Sequence, residues 1–150
     1  MVWSDEADCA KCADSLAHHE ALRDAFVELR GPLGAGKTTF ARHLLRALGV
    51  AGRVKSPSYA VVEAYELPML NRAFNIWHFD FYRFKDPHEW EDAGFRELFA
   101  APGLKLAEWP EKAQGVLPTA DLRIDIEPLE GDVRQVQFSA FTPRGVVLMA

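Results

Sequence analysis

The chain reads as a mixed α/β fold, and three features of its 150 residues lead there. First, Ala25-Phe26-Val27-Glu28-Leu29 has the β-forming character of a short strand; a glycine-rich turn follows it, and Thr39 to Leu48 then sets apolar residues at helical spacing. Second, two later apolar runs of strand length, Phe74 to Phe79 and Leu104 to Ala107, each deliver a carboxylate at their C-terminal end, Asp80 and Glu108. Third, residues 121–127 and 133–138 alternate polar and apolar side chains on either side of Gly131, the pattern of an antiparallel hairpin.

The turn between the first strand and helix is Gly31-Pro32-Leu33-Gly34-Ala35-Gly36-Lys37-Thr38-Thr39. Gly31 and Gly36, followed by Lys37 and Thr38, match the phosphate-binding spacing. Polyphosphate carries several negative charges, and glycines let consecutive backbone N–H groups turn inward without Cβ obstruction. Lys37 is expected to reach the β- and γ-phosphates and Thr38 to ligate Mg²⁺. A helix opening at about Lys37 aims its positive dipole end at the same charge. The positions expected against a nucleotide are therefore Gly31, Leu33, Gly34, Ala35, Gly36, Lys37, Thr38 and Thr39. Gly49 closes the helix as a C-terminal cap.

Length and composition bound the rest. One domain over 1–150 is expected, with 49% hydrophobic and 26% charged residues, enough for a proper core. A net charge of −5 disfavours a domain whose task is gripping nucleic-acid backbone directly. No apolar run approaches the about 20 residues of a membrane span. The N-terminus lacks the basic start and apolar core of a secretory signal, so the expected location is the cytoplasm.

Asp5 to about Glu20 reads as a helix with acidic residues in its first turn. Cys9 and Cys12 form a lone Cys-x-x-Cys inside it. Zinc would need two more ligands, and the adjacent His18 and His19 face different sides of a helix, so two reduced structural cysteines are expected. Val50 to Tyr59 reads as a loop that carries Ser56 and Ser58 near the phosphate turn. Two readings of these serines stand: a hydroxyl for Mg²⁺ that answers to the γ-phosphate, or an ordinary turn. Tyr59 to Tyr65 then reads as a strand, and Leu67 to Asn71 as a turn.

Asp80, at the end of its strand, is expected at the metal or its coordinated water. His78 alternates to the same side; it either supports Asp80 or is a buried structural histidine. Asp86-Pro87-His88-Glu89 has the cap, proline and glutamate of a helix start, and that helix is expected to pass through Gly94 to Leu98 or Phe99. From residue chemistry alone, Glu108 either positions an attacking water or helps hold a metal, and Trp109 packs on a base or closes the site. A last strand is expected at Val146 to Leu148.

Taken together these blocks resemble the TsaE (YjeE) family of small P-loop ATPases of bacterial tRNA threonylcarbamoyladenosine (t6A) synthesis. The resemblance runs from Glu28 to about Glu127: Gly-Pro-Leu-Gly-Ala-Gly-Lys-Thr-Thr-Phe at 31–40, Lys-Ser-Pro-Ser-Tyr at 55–59 and His-Phe-Asp-Phe-Tyr-Arg at 78–83. Glu91, Gly94 and Glu97, Glu-Trp-Pro-Glu at 108–111 and Leu-Pro at 117–118 continue it. The His-x-Asp-x-Tyr-Arg and Glu-Trp blocks are far more specific than the glycine loop, which countless proteins share. The resemblance implies a P-loop fold with a central parallel sheet extended by antiparallel strands. It also implies ATP binding, slow intrinsic hydrolysis and work with TsaD and TsaB, tRNA being reached indirectly through that complex. Carried to this chain, it places Lys37 and Thr38 on the phosphates and Mg²⁺. Asp80 and Glu108 become the acidic pair at the metal and attacking water, Ser58 belongs to the switch loop, and Trp109 lies by the nucleotide. Two departures stand out: Pro32 replaces a residue that is often acidic or an amide, and Ser58 replaces a threonine.

A small-molecule kinase is a rival class, but the longest candidate insert, Leu67 to Arg72, is short for an arginine-bearing lid. A GTPase is weaker still, because no Asn-Lys-x-Asp motif occurs. A nucleotide-responsive binding protein with negligible turnover is the third alternative.

Overall fold

The structure is a computed structural model; it describes residues 1–52, 54, 61–68, 73–86 and 94–150. In chain order the elements are β1 (Val2–Trp3), α1 (Glu6–Ala17), a 3₁₀ turn (Glu20–Asp24), β2 (Phe26–Arg30), α2 (Lys37–Leu48), β3 (Val62–Leu67) and β4 (Phe74–Asp80). They continue with α3 (Phe95–Ala100), β5 (Leu104–Glu108), a second 3₁₀ turn (Pro110–Ala113), β6 (Leu122–Pro128), β7 (Arg134–Ala140) and α4 (Pro143–Leu148).

Seven strands form one sheet in the order β1-β7-β6-β2-β5-β4-β3. The four central strands are parallel: β6 with β2, β2 with β5, and β5 with β4. Antiparallel strands extend both sides, β7 and β1 beyond β6 and β3 beyond β4. The mixed α/β class, the parallel centre and the 121–138 hairpin follow the expectation from sequence.

Period-two alternation assigns the faces. Val27, Leu29, Ile76, Leu104, Leu106, Leu122, Ile124 and Ile126 turn to one side and pack with α1 and α2. On α2 the buried residues Lys37, Phe40, Ala41, Leu44 and Leu45 recur at helical spacing, and on α1 Cys9, Ala13 and Leu16 do the same. Gly49 ends α2 in the left-handed region, with the Gly49 and Val50 amides donating to the Arg46 and Leu45 carbonyls. The opposite face carries an aromatic cluster, in which Phe79 stacks on Phe81 and Phe99 with ring centroids 5.5 and 4.8 Å apart.

Three expectations change. Val146 to Leu148 is not a strand: Thr142 caps a helix there, its Oγ1 accepting from the Gly145 amide at 3.1 Å, with Pro143 in the first turn. A three-residue apolar run fits either element; the Thr-Pro start allows the helix, and the Thr142 contact with Asp121 decides for it. Gly94 does not lie within the helix over Phe95–Ala100; it adopts a left-handed conformation (φ 73°) and begins it. The expected start at 86–90 lies mostly outside the described residues. The N-terminal helix ends at Ala17, short of Glu20. The edge strand β1 has no sequence signal beyond two residues, yet it buries Trp3 against Phe40, ring centroids 5.6 Å apart.

Candidate functional site at the carboxyl edge of the sheet

β2 is the centre of the parallel strands, and its chain leaves the carboxyl edge directly into the glycine loop. Gly31 has no room for a side chain: a Cβ there would stand 2.4 Å from the Ile126 carbonyl oxygen. Gly36 has φ 107° and caps α2 from the left-handed region, which a side chain would strain. Between them the Pro32 carbonyl accepts from the Ala35 amide at 3.1 Å. The loop is thus a tight turn that opens α2 at Lys37.

The neighbouring strands bring the carboxylates alongside. Asp80 and Glu108 are register partners on β4 and β5, and Glu108 also pairs Leu29 of β2. Alternation puts His78, Asp80 and Glu108 on the face that α2 covers, where Thr38 lies in the first turn of the helix. Thr38 Oγ1 donates to Glu108 Oε1 at 2.8 Å, and His78 Nε2 meets Glu108 Oε2 at 2.6 Å. An ionised carboxylate only accepts, so His78 carries its proton on Nε2 in this contact. His78 and Glu108 are both buried. Of the two readings of His78, the geometry makes it a buried partner of Glu108 rather than of Asp80. Asp80 Oδ1 instead accepts from the Tyr82 amide at 2.9 Å.

One cleft of about 430 Å³ collects these groups. Leu33, Gly34, Ala35, Gly36, Lys37, Thr38 and Thr39 line one side, and Asp80, Tyr82, Arg83, Glu108 and Trp109 the other. Gly31 is not among the residues that line the cleft. Ser58 and Ser56 lie outside the described residues. The cleft also includes Tyr82 and Arg83, which the sequence marks only as part of a block. The chain places them by anchoring both sides of the turn: Phe81 and Phe84 are buried in the aromatic cluster, and the Phe84 amide closes on the Phe81 carbonyl at 2.9 Å.

Lys37 is buried, and its Nζ donates to the carbonyls of Gly31 and, at 3.0 Å, Pro32. It also lies 4.1 Å from the centroid of the Trp109 ring, which in turn is 4.9 Å from the Tyr82 ring. Trp109 reaches this position from a left-handed backbone (φ 56°), a conformation costing a non-glycine residue about 1–3 kcal/mol. Burial lowers the Lys37 pKa from its usual value, while Glu108, Glu111 and Asp80 oppose that shift. Burial likewise raises Asp80, against the Tyr82 amide, with Glu108 adding to the rise. The site therefore holds charges of both signs that are short of solvation.

Among the described residues, no group of three or more His, Cys, Asp or Glu side chains could hold a metal ion by itself. The oxygen-only set of Thr38, Asp80 and Glu108 fits a hard cation that takes one or two carboxylates and completes its shell with water and phosphate, as Mg²⁺ does. Chemically, a glycine-rich turn at a helix start, one buried ammonium and two carboxylates suit a polyphosphate with its cation.

The family model described as "Threonylcarbamoyl adenosine biosynthesis protein TsaE" matches residues 3–136. This chain belongs to the TsaE family. A TsaE relative from Haemophilus influenzae is 41% identical over 135 residues, covering 90% of this chain and 82% of the relative. One from Bacillus subtilis is 37% identical over 112 residues, covering 75% and 67%. Both are named tRNA threonylcarbamoyladenosine biosynthesis proteins. The crystal structure of Bacillus subtilis YdiB superposes with a TM-score of 0.79 at 26% identity, over 99% of this chain and 89% of that one. Within the TsaE motifs, His78 is the partner of Glu108; outside them, Arg134 meets the loop and carries no signal in the sequence. Arg134 Nε donates to the Ala35 carbonyl at 2.9 Å from 99 positions away.

Proposed function

We propose that this chain binds ATP with Mg²⁺ and hydrolyses it slowly, as a cytoplasmic component of the t6A machinery acting with TsaD and TsaB. The observation that most supports the reading is the single cleft shared by the glycine loop, Lys37, Thr38, Asp80 and Glu108. Family membership and the names of the relatives support the place in tRNA modification.

In this reading the loop amides and Lys37 hold the β- and γ-phosphates, and Trp109 packs beside the nucleotide. Mg²⁺, when bound, would lie at Thr38 and the two carboxylates and neutralise charge on the phosphate oxygens. Water attacks the γ-phosphorus in line; a new P–O bond forms, the bond to the β–γ bridging oxygen breaks, ADP leaves with the electron pair, and a proton of the water passes to an oxygen of the released phosphate. Glu108 orients the attacking water, and His78 keeps the carboxylate in place. Ser58 contributes a hydroxyl from the switch loop. TsaD and TsaB are the expected source of stimulation, with tRNA reached through them.

The test is Mg²⁺-dependent ATP hydrolysis by the purified protein, alone and then with cognate TsaD and TsaB. Slow turnover that rises with the partners is the expected result. ATP binding without turnover in any mixture would replace the ATPase with a nucleotide-responsive binding protein. ADP formation that depends on a small-molecule acceptor would point to a kinase.

A further inference from the structure

We propose that Arg134 is a positioning residue for the phosphate cradle, acting through the Ala35–Gly36 peptide. Arg134 opens β7, in register with Pro128 of β6 and Trp3 of β1. Its NH1 donates to the Gly131 and Val133 carbonyls at 3.1 and 3.0 Å, which ties the guanidinium to its own hairpin. From that anchored position Nε donates to the Ala35 carbonyl. Ala35 is 1% exposed, so the carbonyl oxygen depends on a protein donor rather than on water.

A trans peptide is planar, and its C=O and following N–H point to opposite edges. Drawing the Ala35 carbonyl toward Arg134 turns the Gly36 N–H the other way. Gly36 and its neighbours line the cleft, so the peptide is held with its donor edge available to a phosphate oxygen. A cationic donor on the carbonyl also polarises the amide and strengthens that N–H as a donor. The hairpin braces the loop at a second point, since Gly31 lies against the Ile126 carbonyl with no space for a Cβ. Two contacts from β6 and β7 thus fix a loop whose glycines would otherwise leave it many conformations.

This rests on the nucleotide-binding reading, and the wild-type protein separates the two. If wild type binds neither ATP nor ADP, the functional reading falls and Arg134 has no cradle to position. With wild-type binding established, Arg134→Met and Arg134→Lys are compared by calorimetric Kd, by KM and kcat, and by the Gly36 amide resonance. Removing one charge-assisted hydrogen bond from the cradle is expected to raise Kd and KM for ATP about tenfold in Arg134→Met, with kcat within about twofold. Arg134→Lys is expected to recover part of that loss, and the Gly36 resonance of the ligand-free protein shifts in Arg134→Met. A role confined to general stability predicts the reverse split, a lower kcat from fewer active molecules at unchanged KM, and that result overturns the proposal. So does unchanged Kd in a folded Arg134→Met protein. If Arg134→Met does not fold, Arg134→Lys decides: a severalfold rise in KM supports positioning, and a wild-type KM ends it.

Discussion

Glu108 accepts from Thr38 and His78 on separate oxygens, so groups from different elements orient the carboxylate while each oxygen keeps a further lone pair. His78→Ala removes one donor and leaves the buried carboxylate free to rotate. The expected outcome is an ATP Kd within about twofold of wild type with hydrolysis reduced about tenfold, measured by single-turnover kinetics. Lys37→Ala is expected to abolish productive nucleotide binding. Asp80→Ala and Glu108→Ala should retain binding and lose about a hundredfold in hydrolysis; wild-type turnover in both would refute the acidic pair. A different carboxylate, Glu28 on the opposite face of β2, gives a pH test. Burial raises its pKa more than Arg30 and Arg123 lower it. The folded chain therefore holds that proton more tightly than the unfolded chain does. Glu28 favours folding as pH falls through its raised pKa and opposes folding above it. Glu28→Gln should accordingly raise the urea midpoint at about pH 8, with the gain fading as pH falls through the Glu28 pKa. A lower midpoint at the alkaline end would contradict the sign.

At the scale of elements, α4 depends on two small features at its start. Thr142 Oγ1 accepts the Gly145 amide and donates to Asp121 Oδ1 at 2.6 Å, joining the helix cap to the start of β6. Asp121 Oδ2 in turn accepts the Phe26 amide at 2.8 Å, so the cap is tied to β2. Thr142→Ala should cost about 1 kcal/mol in urea unfolding, and Thr142→Ser much less, because the hydroxyl carries both contacts. Gly145 packs so closely that a Cβ would stand 1.8 Å from the Asp121 carbonyl oxygen. Gly145→Ala must therefore displace α4 from the sheet, a change visible as faster amide exchange in residues 144–148. The same level of organisation explains why Val146 to Leu148 misleads as a strand: its apolar run is too short to show a period, and the deciding contact lies on Asp121.

For the molecule as a whole, a ligand that binds only the folded chain adds to its stability by mass action. At a concentration of 100 times its Kd, ATP should contribute about 2.7 kcal/mol, which for a chain of this size is about 5–10 °C in Tm. Lys37→Ala should melt near the wild-type temperature without nucleotide and show no shift with it. An equal shift in both proteins would mean that the stabilising site is not the glycine loop. No helix among the described residues is long and apolar enough to cross a membrane.

The local sequence determined the mixed α/β class, the glycine loop with Lys37 and Thr38, the strand-end carboxylates and the 121–138 hairpin. Each is written within one element or one turn, where spacing and residue type act directly on the backbone. Glu108 and Trp109 were legible as neighbours of a site, while their roles leaned on likeness to the TsaE family. Only the tertiary structure decided that His78 serves Glu108 across 30 positions, that Thr38 meets the same carboxylate across 70, and that Arg134 reaches Ala35 across 99. It also decided that Trp3 belongs to the core and that the last segment is helical. Alternation assigns a side chain to a face; register and crossover bring two distant side chains within hydrogen-bond distance, and those are set by the packing of the whole sheet.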